Sequence, residues 1–168
     1  MAFKESTTIA HPPADVFSAL VDEDFNRAVT EKLGGALVAF ERQGELSGPV
    51  TLTMVRSVPV NKLPDAVQKF AGRFLGDKLS VEQHETWSAP GADGSRTGQL
   101  VVTASAAKAS VTAEQLVLPA ESGTEVQVTG TTECKIPLVG GKIAQAAEPR
   151  VGKVLARQAR EVTAWLNK

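Results

Sequence analysis

Few residues in this chain have the chemistry of a reaction centre, and their spacing is as informative as their identity. The most suggestive stretch is CKIPLVGGKIAQAAEPRVGK, Cys134 to Lys153, where a hydrophobic strand end runs into Gly140-Gly141-Lys142 and then into a helical pattern. A phosphate-cradling loop requires G-x-x-x-x-G-K followed by Ser or Thr, so that backbone amides, lysine and hydroxyl all meet the phosphates or their metal. Ile136 stands where the first glycine belongs, and Ile143 follows Lys142. The triplet therefore reads as a hinge, in which glycines turn a strand into a helix without steric cost.

The single cysteine, Cys134, and the two histidines, His11 and His84, have no zinc-like spacing, so no metal site is expected. Nucleophilic catalysis by Cys134 with His84 as base needs the two in contact. Strand alternation puts Cys134 on an inward face with Val126, Val128, Thr132 and Ile136, and His84 on a polar face with Ser80, Glu82 and Thr86. No catalytic residue is assigned. Two charges are more informative. Arg56 shares an apolar face with Val50, Leu52, Met54 and Val58, and Glu85 shares one with Leu79, Val81, Gln83 and Trp87. A buried charge is costly unless it is paired or reaches water. Either these two line a cavity and orient a polar head group, or they pair near the sheet rim, or a bulge shifts the register.

The elements that would carry these residues follow from periodicity. FKESTTIA (Phe3–Ala10) reads as a first strand. Pro12-Pro13 then starts a short helix with Asp15 in its first turn and Val16, Phe17 and Leu20 as its stripe. A second helix in EDFNRAVTEKL puts Phe25, Ala28, Val29 and Leu33 on one face and ends at Gly34-Gly35 in a left-handed cap. From Ala36 the period becomes alternating, with a turn near Gly44–Gly48 and strands in ALVAFERQGEL, GPVTLTMVRSVPV, KLSVEQHETWSA, RTGQLVVTASA, SVTAEQLVLPA and TEVQVTGTTECKIP. LPDAVQKFAGRFLG interrupts them as an amphipathic helix with Leu63, Val67, Phe70 and Phe74 in a stripe, covering core or acting as a lid. Nearby Lys69, Arg73 and Lys78 form a weak basic patch. The last segment, Lys142 to Asn167, is helical, with Ile143, Ala147, Val151, Val154, Leu155, Gln158, Val162, Trp165 and Leu166 inward and a kink or restart expected at Pro149.

With 168 residues, the chain is expected to form a single domain over 1–168. A net charge of −1 and an aromatic content of 5% without tyrosine argue against nucleic acid as a partner. The start MAFKESTTIAHPP has no apolar signal region, and no apolar run approaches the ~20 residues of a membrane span, so no stable membrane insertion is expected. One lone cysteine fits a reduced, cytoplasmic setting.

The order of elements resembles the helix-grip fold of the START/Bet v 1-like superfamily, also called SRPBCC. Three segments carry the resemblance: the first strand with HPPADVFSALVD, the hairpin series and the terminal helix. IPLVGGKI leading into that helix is similar, more narrowly, to an actinobacterial family of proteins of unknown function, DUF2505. The resemblance implies an α+β fold in which a curved antiparallel sheet of about six to seven strands wraps around a long C-terminal helix, with two short helices after the first strand. It also implies an apolar cavity between sheet and helix. Superfamily members include lipid and sterol carriers, polyketide cyclases and chaperone activators, among which the fold does not choose.

The function expected is binding or carriage of a small hydrophobic or amphipathic ligand, lipid-like or polyketide-like, in that cavity. The alternatives are a cyclase- or dehydratase-like enzyme using the same cavity, or a protein–protein interaction module. Met54, Arg56, Phe70, Phe74, Glu85, Trp87, Val128, Thr132, Val151 and Leu155 are the expected ligand-binding residues. No cofactor is implied.

Overall fold

The computed structural model describes residues 2–168 apart from 64, 66–67 and 70–74. Seven alternating segments form one curved antiparallel sheet: β1 (Ala2–Ile9), β2 (Ala36–Gln43), β3 (Val50–Pro59), β4 (Lys78–Trp87), β5 (Arg96–Ala104), β6 (Ala109–Ala120) and β7 (Gly123–Cys134). Strands β2 to β7 lie side by side in chain order, and β1 pairs with β7 at the far edge. Apart from the longer β3–β4 connection, short hairpin loops make this arrangement the natural one for consecutive antiparallel strands. The register between β3 and β4 is continuous from Val50↔Trp87 to Pro59↔Lys78, so alternation places Met54, Arg56, Gln83 and Glu85 on one face without a shift. The irregularity that is present lies between β2 and β3, at Leu37/Ala39.

Helices α1 (Pro13–Leu20) and α2 (Glu23–Lys32) close one end of this face. Helix α1 buries Val16, Phe17, Ala19 and Leu20, as its stripe predicts. Helix α2 starts at Asp22, whose carboxylate accepts from the Phe25 amide at 2.9 Å, a cap absent from the sequence reading. It ends where Gly34 takes the left-handed conformation (φ 93°), as expected. Its buried face differs from the expected one. Phe25, Asn26, Val29 and Thr30 are buried, whereas Ala28 is exposed. Asn26 and Thr30 are one helical turn apart and turn inward because that side meets Arg56. Of the stripe expected in LPDAVQKFAGRFLG, Val67, Phe70 and Phe74 lie outside the described residues, as does Arg73 of the basic patch. Leu63 packs with a small cluster around Leu75, Leu79, Cys134 and Ile143.

Helix α3 (Gly140–Leu166) runs uninterrupted through Pro149, with no restart there. It packs mainly on β1 and β7. Its buried residues are Gly140, Ile143, Glu148, Gly152, Ala156, Ala159 and Val162. The face is therefore rotated from the one expected, and Val154 points to solvent at 45% exposure. Small residues decide this. A Cβ on Gly152 would lie 3.4 Å from the Phe3 Cβ and 3.2 Å from a Glu5 carboxylate oxygen, so the helix backbone sits close against β1. The hinge also differs in detail. The left-handed residue is Leu138 (φ 71°), not a glycine. Gly140 serves close approach instead, since a Cβ there would collide with the carbonyl oxygen of Cys134.

Candidate functional site

Two polar regions lie between the sheet and α3. The first is a connected hydrogen-bond network in the interior. Glu85 is 5% exposed. Its carboxylate accepts from Gln83 Nε2 at 2.8 Å, Gln115 Nε2 at 2.9 Å and Trp87 Nε1 at 3.1 Å. Gln83 in turn accepts from Arg56 Nη1. Arg56 continues into α2, donating from Nε to Thr30 Oγ1 at 2.9 Å and from Nη2 to Asn26 Oδ1 at 3.2 Å. Gln158 of α3 donates to the same Asn26 oxygen at 3.3 Å. Asn26 Nδ2 donates to the Leu20 and Asp22 carbonyls at 3.0 and 2.7 Å, and Thr30 Oγ1 donates to the Asn26 carbonyl at 2.6 Å. Sheet, α2 and α3 are thus tied by side chains whose polar atoms already have partners.

Arg56 and Glu85 are not in direct contact; Gln83 bridges them. Burial raises the Glu85 carboxyl above its usual range, while hydrogen bonds from Gln115 and Gln83, the Arg56 charge and the Trp87 N–H pull the other way. Burial likewise lowers Arg56, and the Glu85 charge opposes it. Beside this network, a void of about 10 Å³ is bordered by Gln83, Glu85, Gln115, Val128, Leu155 and Gln158. That is about the space of one water molecule.

The second region is a groove of about 360 Å³ where the end of β7 and the first turns of α3 part. Thr132, Glu133, Cys134, Gly141, Ala144, Gln145 and Glu148 line it. Glu133, Gly141 and Gln145 are exposed at its lip, and Cys134 and Glu148 are buried at its floor. Glu148 is only 2% exposed. Among the described residues, neither of its carboxylate oxygens has a hydrogen-bond partner, nor has the Thr132 hydroxyl. The Cys134 thiol is engaged, donating to the Ala107 carbonyl at 3.4 Å. A buried polar atom without a partner costs ~1–3 kcal/mol, and more for a charged group. Such a cost is held in place by the surrounding fold, here the small-residue face of α3 that presses Glu148 inward.

The expected site residues are thereby distributed over several places. Met54 and Trp87 are core, Trp87 meeting Phe17 edge-on at 5.2 Å. Arg56 and Glu85 belong to the closed network. Val128 and Leu155 border the small void, and Val151 packs with Leu155 against the cluster around Phe3 and Leu100. Thr132 lines the groove. Phe70 and Phe74 lie outside the described residues. His84 faces outward, 3.3 Å from Thr53 Oγ1, and Cys134 inward, as parity implies. Among the described residues no group of three or more His, Cys, Asp or Glu side chains is placed to hold a metal.

Glu148 escaped the sequence reading, yet a signal for it exists. Ala144, Glu148, Gly152 and Ala156 recur every four positions. A column of small residues at helical spacing marks the face where backbone meets backbone, so the glutamate within it must point inward. The buried Arg96 was also missed. It donates to the carbonyls of Gly48 and Ser88 at 3.0 Å and to that of Leu46, and stacks 3.7 Å over Phe17, pinning the β2–β3 turn.

Comparison with known proteins agrees with this architecture. The chain is similar to solved structures over nearly its whole length. For TTHA0849 from Thermus thermophilus the identity is 16%, with 98% of each chain covered and a TM-score of 0.59. For the Zhui aromatase/cyclase from Streptomyces sp. R1128 the identity is 13%, with 96% of this chain and 93% of that chain covered and a TM-score of 0.54. For the STAR-related lipid transfer protein from Xanthomonas axonopodis the identity is 15%, with 95% and 85% covered and a TM-score of 0.53. At these identities the likeness shows the helix-grip fold alone. A search of curated proteins found no match. No helix among the described residues is long and apolar enough to cross a membrane. Residues 4–166 match the family described as Protein of unknown function (DUF2505), and the chain belongs to that family within the START/Bet v 1-like helix-grip fold.

Proposed function

We propose that the chain binds a small amphipathic molecule between its sheet and α3, seated in the groove at Thr132, Cys134, Ala144 and Glu148. The observation that carries this reading is the groove itself: about 360 Å³, with a floor holding buried polar atoms that have no partner among the described residues. Its volume falls in the ~300–1,000 Å³ range of small-molecule sites. Two solved structures of similar fold are named a lipid transfer protein and an aromatase/cyclase, which supports a small-molecule reading.

The enzyme alternative built on Arg56 and Glu85 would need a substrate to reach them. The void beside Glu85 is about 10 Å³, and its carboxylate already accepts three hydrogen bonds. An interaction module would present a broad apolar patch. Among the described residues, the exposed large hydrophobics Val38, Leu46, Val101, Leu138 and Val154 fall on different elements or turns.

Titration with the neutral dye Nile red, with native mass spectrometry in parallel, tests the binding reading. Saturable one-to-one binding that Gly141→Leu abolishes is the expected result. Binding with no saturation, or saturation unaffected by filling the groove from its lip, would overturn it.

A further inference from the structure

We infer that the head group of the bound molecule is a protonated amine, held by Glu148 and Thr132. This rests on the reading of the groove as the ligand site and adds the chemistry of what it selects. Three polar atoms on residues that line the groove, Glu148 Oε1, Glu148 Oε2 and Thr132 Oγ1, are buried beneath its surface and have no partner among the described residues, so a head group takes them up by parting the floor. A primary ammonium has three N–H donors and no acceptor, so it matches that set atom for atom. A neutral hydroxyl brings a single donor. A carboxylate head brings acceptors only, against a site that offers acceptors.

Charge points the same way. The described lining residues include two carboxylates, Glu133 and Glu148, and no Lys, Arg or His. A further carboxylate, that of Glu5, lies beside Gly152, one helical turn beyond Glu148. In a partly enclosed groove of lowered dielectric, an opposite charge on the ligand gains more than it would in water. The contrast with Glu85 sharpens the inference. Where this fold means a buried carboxylate to be structural, it surrounds it with Gln83, Gln115 and Trp87 as donors. Around Glu148 the fold supplies none among the described residues, although the floor is just as buried.

The test is calorimetric titration of the whole chain at pH 7 with decylamine, decanol and decanoate, each kept below its micelle concentration. These probes share a tail and differ only in the head. Decylamine is expected to bind at least ~10-fold more tightly than decanoate, the scale of charge-assisted hydrogen bonds. Glu148→Gln should collapse that preference to within ~3-fold, and Thr132→Val should weaken decylamine by a smaller factor. Equal affinity for amine and carboxylate in the wild-type protein would overturn the head-group inference while leaving the binding reading standing. That comparison needs no variant to fold. A preference that survives Glu148→Gln in a protein with an unaltered melting curve would also overturn it. Failure of all three probes and of Nile red to bind would remove both readings together.

Discussion

Glu85 and Glu148 are two carboxylates in one interior, 5% and 2% exposed, and they are treated in opposite ways. Glu85 sits in the middle of the sheet, where alternation delivers Gln83 and Trp87 from its own strand and Gln115 reaches it from β6, two strands away. Glu148 sits where β7 ends and α3 begins to part from the sheet, in the floor of a groove lined also by Thr132, Glu133, Cys134, Gly141, Ala144 and Gln145, and its carboxylate is buried without a partner among the described residues. A sheet face repeats its side chains at fixed spacings along and across the strands, so a polar residue on it can be fully satisfied. A junction between sheet and helix has no such lattice, and a polar residue there keeps free valences that water or a ligand must fill. The difference separates a network satisfied within the fold from a groove whose floor holds polar atoms without a partner among the described residues.

The largest test of that contrast is Arg56→Met. It leaves acceptors on Gln83 and Thr30 without their donor and Asn26 Oδ1 with Gln158 alone, and should cost ~2–4 kcal/mol in urea unfolding. A loss below ~1 kcal/mol would mean that the network is dispensable. Next is Gly140→Ala, at the seam where α3 meets the Cys134 carbonyl. The added methyl has no room, and a loss of ~2 kcal/mol is expected. Glu148→Leu should act in the opposite sense. Replacing a buried, unpartnered carboxylate by an apolar side chain of similar size is expected to raise stability by ~1–2 kcal/mol in ligand-free protein, and a destabilised variant would place a hidden partner at Glu148. Gly141→Ala, one residue from the tight Gly140 and facing open space, should gain ~0.5 kcal/mol from helix propensity alone.

The smallest effect is one of pH. Burial raises the Glu85 carboxyl above its ordinary value, so the folded state holds that proton to a higher pH than the unfolded state. Its contribution to stability is therefore fully present below about pH 4.5 and is lost as pH rises through the folded value. Unfolding of wild type and Glu85→Gln compared from pH 4 to 8 should show wild type losing ground as pH rises. A difference that stays flat, or one of opposite slope, would contradict the assignment.

The regions also differ in how legible they were. Alternation placed Met54, Arg56, Gln83 and Glu85 on one inward face correctly, because side-chain direction in a strand follows from parity alone. The partners in α2 were missed because Asn26 and Thr30 are polar, and a stripe judged by hydrophobicity favours Ala28 instead. On α3 the same habit promoted Val154, which is exposed, over Gly152, Ala156 and Ala159, which are buried. Close packing selected small residues there, and bulk was the wrong measure. Glu148 was lost for the same reason.

Local pattern in the chain was enough for the strands and their succession, the proline start of α1 and the glycine end of α2, the inward direction of Cys134 and the outward direction of His84. Each depends on a residue and its near neighbours. Which buried carboxylate is satisfied and which is left open depends on distances between strands and helices far apart in sequence. Glu85 meets Gln115 across 30 positions and Arg56 meets Asn26 across the same span. The depth of α3 against β1, and with it the groove that opens at Glu148, is set by a glycine meeting a strand at the other end of the chain. Only the packed structure brings those groups within reach of one another, because hydrogen bonds and steric contacts act over a few ångströms of space and take no account of position along the chain.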